Sequence, residues 1–131
     1  MGQQQLLLIV LGVIIVGIAV VVGINLFNAN SESSTQDTMV SEATNIGAMA
    51  QQFYKKPVAM GGGGNAFDAS NGAPNAWAIP TALATDASGN SFSASVGAQQ
   101  VTLTGTPNST LNYTWTVTTT VTPTSIISSV N

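Results

Sequence analysis

The most apolar part of the chain follows three glutamines, Gln3, Gln4 and Gln5. Residues 6–27 contain no charged side chain. A helix over this stretch would be about 33 Å long, close to the ~30 Å hydrocarbon core of a bilayer. A cleaved secretory signal has a shorter apolar region of about 7–15 residues, with a basic segment before it. The pattern therefore predicts a membrane-inserting helix that is retained.

Residues 31–54 predict a continuation of this helix. The segment has no proline, and its apolar positions recur at alternating spacings of four and three, which is typical of one face of an amphipathic helix. These positions are Met39, Ala43, Ile46, Ala50 and Phe53. Pro57 disfavours helix at the residue before it and so ends the element. The junction at residues 28–34 is rich in Asn and Ser, and we expect a kink or a locally unwound segment there.

Residues 57–90 are predicted to form a Gly-rich loop region. The four glycines at 61–64 indicate a hinge loop, because no Lys-Ser/Thr pair follows them as a phosphate cradle would require. A short strand is expected at residues 77–79 and a turn at residues 86–90. One carboxylate in that turn is too little for a calcium loop of the usual kind.

Residues 91–131 change to a two-residue period. Apolar and polar side chains alternate through residues 92–98, through residues 101–104 and, most strictly, through residues 111–122, so these stretches predict strands. A last short strand is expected near residues 126–130. The resulting three or four antiparallel strands have one apolar face, and the largest apolar surface available to cover it is the helical stripe. Its expected partners on the sheet are Tyr113, Trp115 and Val117.

The predicted fold class is therefore α+β, with a small antiparallel sheet packed on the C-terminal half of a long N-terminal helix. The expected domains are an apolar helix (1–30), its amphipathic half (31–56), the loop region (57–90) and the sheet (91–131). Sequence signals for N-glycosylation occur at Asn108 and Asn112, although such matches arise by chance in a Thr-rich strand.

Charge and composition limit the kinds of function that we expect of the chain. The chain has two Lys, five acidic residues, no His and no Cys. We therefore expect no catalytic residues, no metal site, no cofactor and no nucleic-acid partner, since the chain has no His or Cys to act as base, nucleophile or metal ligand and no basic patch. Asp37 and Glu42, five residues apart, are interpreted as a solvated helix face.

The chain resembles type IV pilins and pseudopilins. The resemblance covers the whole architecture: Gly2 before the apolar run, the helix that ends near residues 53–57, the loop at 61–64 and the sheet. It implies processing after Gly2, with a leader of Met1-Gly2 only, and a mature chain that starts at a modified Gln3. The family usually has a basic leader and a glutamate at the fifth mature position, which here is Leu7.

The resemblance implies a structural subunit of a helical cell-surface filament. The subunit would lie in the inner membrane before assembly and in the extracellular filament afterwards, with copies of itself and the pilus assembly machinery as partners. Helix packing is assigned to the glutamines and to small residues that allow close approach: Gln3, Gln4, Gln5, Leu7, Gly12, Gly17, Ala19 and Gly23. The alternatives are a single-span anchored domain that never polymerises and a pseudopilin of a secretion system.

Overall fold

A computed structural model describes residues 2–131 of the chain; Met1, the first residue of the expected leader, lies outside the described residues. A long helix, α1 (Gly2–Lys55), is followed by a short helix, α2 (Thr81–Ala84), and by four strands. The strands are β1 (Ser91–Val96), β2 (Val101–Thr106), β3 (Val117–Val121) and β4 (Ile126–Val130). The predicted α+β fold class is confirmed.

Helix α1 is continuous through residues 28–34, so the expected unwinding at that junction is wrong. Asn and Ser have helix propensities only about 0.5 kcal/mol poorer than Ala, and the segment contains no proline to remove a hydrogen bond. The chain nevertheless forms two units. The first extends to Ser34, and the second covers Thr35–Asn131.

The glycine loop caps the C-terminal end of α1 and is not a hinge. The backbone N–H groups of Gly63, Gly64 and Asn65 donate to the carbonyls of Phe53 (2.8 Å), Lys56 (2.9 Å) and Tyr54 (2.7 Å). Carbonyls in the last turn of a helix have no partner within the helix, and this loop supplies donors for them. A Cβ atom at position 63 would collide with the carbonyl oxygen of Ala66, so the close approach requires glycine there.

The sheet is an antiparallel meander in the order β1-β2-β3-β4. The register pairs Phe92 with Gly105 between the first two strands and Thr119 with Leu103 between the middle two. Within residues 2–131, strand β4 pairs with β3 alone, with Thr119 opposite Ser128. The hydroxyl groups of that last pair are 2.8 Å apart and hydrogen-bonded.

Two strand predictions are wrong. Residues 77–79 form no strand, and the strand predicted over residues 111–122 begins only at Val117. Upstream of it, a 3₁₀ turn (Ser109–Leu111) ends at Asn112, whose φ of 56° and ψ of 31° place it in the left-handed region. A residue in that conformation ends a regular strand, and Asn tolerates it better than most residues. The aromatic side chains that follow still pack on the core, from irregular backbone.

The core of the second unit lies between α1 and the sheet. Buried side chains of α1 meet buried side chains of β2 and β3. The sequence-predicted core residues that are buried are Met39, Ala43, Ile46, Ala50, Trp115 and Val117; Phe53 and Tyr113 are half-buried and pack against them. The rings of Tyr113 and Trp115 stack with centroids 5.4 Å apart. A hydrogen bond also joins α1 to the residue after β3, because Nε2 of Gln51 donates to the Thr122 carbonyl at 2.9 Å.

Candidate functional site

The first unit exposes an apolar surface. Each large apolar side chain in residues 6–27 is exposed, from 53% at Leu11 to 73% at Phe27. Large contiguous apolar patches on a soluble protein mark contact with a membrane or with another protein. By its length and composition, α1 can cross a membrane. The first unit is therefore a surface for membrane anchoring or for assembly.

Three glycines in this part of α1 have no packing role among the described residues. A Cβ atom added at Gly12, Gly17 or Gly23 would meet nothing within 4 Å. Glycine inside a helix costs about 1 kcal/mol relative to alanine, so the chain carries this cost without an internal benefit.

The predicted assembly residues do not all share one helix face. At 3.6 residues per turn, Gln5, Gly12, Ala19 and Gly23 lie within about 40° of each other, whereas Gly17 lies roughly 140° away. One polar side chain and three small ones therefore form a single line along α1, which we call the small-residue line. Gln3, Gln4 and Leu7 are also exposed, at other angles around the helix.

The second unit contains a pair of carboxyl groups. Glu42 of α1 and Asp86, which follows α2, line a small cavity of about 70 Å³ together with Asn45, Ile46 and Leu83. The Oε2 atom of Glu42 is buried, and no donor within residues 2–131 hydrogen-bonds to it. Burial first, and then a hydrogen bond with Asp86 and its negative charge, raise the pKa of Glu42. The interpretation of Glu42 as part of a solvated face is therefore wrong, whereas Asp37 is exposed.

Asp86 is held in its ionised form by donors from the following turn. Its carboxylate accepts bonds from the backbone N–H of Ser88 and from the backbone and side-chain N–H groups of Asn90, all at 2.9 Å. Burial by itself would raise the pKa of Asp86, but bonds from Asn90, Glu42 and Ser88 outweigh it and the pKa is lowered. Glu42 and Asp86 are thus two neighbouring carboxyl groups whose pKa values are shifted in opposite directions, that of Glu42 upward and that of Asp86 downward.

The turn at residues 86–90 engages the first of the two glycosylation signals, at Asn108, but not the second, at Asn112. Asn90 is 1% exposed, and its Oδ1 accepts the backbone N–H of Asn108 at 2.9 Å. The side-chain Nδ2 of Asn108 donates to the Ser88 carbonyl at 2.8 Å, so the atom that would carry a sugar is already engaged. Asn112, by contrast, is exposed at the end of a 3₁₀ turn.

The position of Glu42 in the sequence is itself a signal for partial burial. Glu42 is three residues after Met39 and four before Ile46, which places it at the border of the apolar stripe. A carboxylate at such a position is a candidate for partial burial. Its partner, Asp86, could not be found from spacing, because the contact depends on how the loop region folds back onto α1.

The chain matches no protein-family model, and searches of the curated proteins and of the solved structures find no match to it.

Proposed function

We propose that this chain is a structural subunit of a helical cell-surface filament of the type IV pilin kind, assembled through the apolar half of α1. The observation that supports it most is the combination of an exposed apolar helix with glycines at which an added Cβ atom would meet nothing within 4 Å among residues 2–131. Membrane insertion requires apolar side chains only, whereas helices that pack closely on each other require small ones.

In this proposal the small-residue line is a contact between helices of neighbouring subunits. Gly12, Ala19 and Gly23 bring two backbones close together, and Gln5 hydrogen-bonds across the contact, where a charge would be costly to bury. The subunit resides in the inner membrane before assembly and on the cell surface afterwards. Its partners are copies of itself and the assembly machinery, and it carries out no catalysis and holds no cofactor.

A second candidate is a single-span anchored domain that remains a monomer. The observation in its favour is that α1 has the length and composition to cross a membrane by itself. The two candidate functions predict different effects of replacing Gly23 by a larger residue. An anchor loses nothing when glycine is replaced by a large apolar residue, whereas a close helix–helix contact does.

The first experiment is an intact-mass measurement on the sheared, high-molecular-weight fraction of native cells. The filament proposal expects the chain there in quantity, with a mass that reports whether Met1-Gly2 is removed and Gln3 modified. Recovery of the full-length chain only from the membrane fraction, as a detergent-soluble monomer, would favour the anchored domain.

The matched variants are Gly23→Leu and Val13→Leu. Both leave the helix apolar, but only the first adds a large side chain to the small-residue line. We expect Gly23→Leu to insert into membranes as the wild type does and to lower the filament yield about tenfold or more, a loss of at least ~1.4 kcal/mol per contact. Equal yields from the two variants would contradict the close-packing role of Gly23.

A further inference from the structure

The outer edge of β4 presents unpaired backbone groups. Asn131 and Thr116 exchange both of their backbone hydrogen bonds, at 2.9 and 3.1 Å, and the Thr122 N–H donates to the Ser125 carbonyl. In an antiparallel pair, residues alternate between facing the partner strand and facing away from it. The following residues of β4 therefore direct their N–H and C=O groups away from β3: Ile126, Ser128 and Val130. Among residues 2–131, no strand pairs with that side of β4.

This edge lacks the features that usually prevent strand addition. Proteins protect exposed edges with charged side chains, prolines or bulges. Strand β4 has no proline, its ladder with β3 is regular, and residues 87–131 contain no charged side chain. On the outer face of β4, Ile127 is 65% exposed. The edge is therefore suited to pairing with another extended strand.

The opposite edge of the sheet, at β1, is complementary to it. The Gly97 N–H donates to the Gln100 carbonyl, so the residues of β1 that face away from β2 are the even-numbered ones. The start of this edge is covered by a bridge between Thr85 and Ser91. Beyond the strand, the Ala98 carbonyl accepts the backbone N–H of Phe67 at 3.0 Å, so the open part of this edge is limited to Ala94 and Val96, and Ala94 is exposed. The outward groups of both edges thus belong to residues whose side chains lie on the core face, as the buried Phe92 does.

The number of strands determines how a second copy can fit. Because the meander has four strands, β1 and β4 run in opposite directions. A second copy placed beside β4 in the same orientation therefore offers its β1 antiparallel to β4, with core face next to core face. Contacts between copies in one orientation do not close into a pair and can continue indefinitely, as a polar filament requires.

We propose that the outer edge of β4 pairs with the outer edge of β1 in a second copy of this chain, so that the sheet continues from subunit to subunit. This inference rests on the proposed filament function and adds a second contact to that of the helices. The register that matches the open groups places Ser128 opposite Ala94 and Ile126 opposite Val96. Self-pairing of two β4 edges is the competing arrangement, and it yields closed pairs only.

The decisive comparison is Ser128→Pro against Ser128→Ala. Both variants lose the hydroxyl bond to Thr119. Only proline also removes the outward N–H, and it leaves the ladder to β3 intact because residue 128 does not donate to β3. We expect about tenfold less filament from Ser128→Pro than from Ser128→Ala in the sheared fraction of native cells. Equal yields would overturn the edge pairing and leave the filament proposal standing.

Cysteine crosslinking covers the case in which the proline variant does not fold. The chain has no Cys, so an Ala94→Cys, Ser128→Cys double variant contains only the two intended thiols. Directly opposite residues lie within disulfide range, and copper–phenanthroline oxidation of sheared filaments should give a ladder of dimers, trimers and longer species. The control pair is Ser70→Cys with Ser128→Cys, since Ser70 is exposed but lies outside both edges.

Three other experimental outcomes would contradict the proposed arrangement. Dimers from Ser128→Cys alone would show that β4 pairs with itself and would overturn the proposed arrangement. Filaments of the double variant that give no ladder would overturn edge pairing altogether. A wild-type chain that is found only as a monomer in the membrane would overturn the filament proposal and this inference together.

Discussion

The cap formed by the glycine loop gives the sharpest stability prediction. Gly63→Ala places a Cβ atom against the carbonyl oxygen of Ala66 and at 2.8 Å from a ring carbon of Phe53. The nearest obstacle is backbone, which cannot rotate away as a side chain can. The loop must therefore open, and the donors at the end of α1 are lost.

The magnitude follows from the bonds that the loop makes. Three backbone N–H groups donate to carbonyls at the end of α1, and each such bond contributes about 1 kcal/mol net. We expect Gly63→Ala to lower the free energy of unfolding by about 2–3 kcal/mol. Gly61→Ala is the matched control, since its φ of 86° is unfavourable for alanine but nothing lies within 4 Å of its Cβ. That strain alone costs about 1 kcal/mol.

The assay is urea unfolding of the full chain in detergent, followed by tryptophan fluorescence. The two tryptophans, Trp77 and Trp115, are both buried in the second unit, so the signal reports that unit. The reasoning predicts a clear order: wild type most stable, then Gly61→Ala, then Gly63→Ala. A Gly63→Ala protein within about 0.5 kcal/mol of Gly61→Ala would refute the role of the loop as a cap, because that difference is smaller than one hydrogen bond.

Two further predictions concern the polar groups of the second unit. The folded pKa of Glu42 is raised, so its stabilising contribution is present below the ordinary carboxyl value of 4.5 and is lost as the pH rises through the folded value. Glu42→Gln should remove this loss, and urea midpoints of the two proteins measured from pH 4.5 upward would show it; parallel midpoints would contradict the raised pKa of Glu42. In a glycosylating host, Asn112→Gln should lower the intact mass by one glycan, whereas Asn108→Gln should not change the glycan mass.

Much of the fold was predictable because it depends on periodic patterns. The four-and-three spacing from Met39 onward identified the helix face that packs on the sheet, and strict alternation identified β2 and β3. Alternation failed at residues 111–116 because Leu111 lies in a 3₁₀ turn and Asn112 in the left-handed region, so the regular strand starts only at Val117. A two-residue period indicates that side chains face opposite ways, and irregular extended backbone does this as well.

The exposed apolar helix was predictable for the same reason, since 22 uncharged residues have few soluble alternatives. The network around Asp86 was not. It joins groups that are 44 residues apart in the case of Glu42, and its geometry depends on a turn in which Asn90 and Asn108 share hydrogen bonds. Local sequence patterns carry no information on these contacts, because the contacts form only when the loop region packs on α1.

Because residues 87–131 contain no charged side chain, the sheet should be insensitive to some changes of salt and pH. Dissolved salt acts on proteins largely by screening charges, and moderate acid acts by protonating them. The strands β1–β4 carry no side chain that either agent can change near neutral pH. The contacts of this sheet should therefore respond little to charge screening by salt, and the acid response of the second unit must come from carboxyl groups outside the sheet, such as Glu42, Asp68 and Asp86.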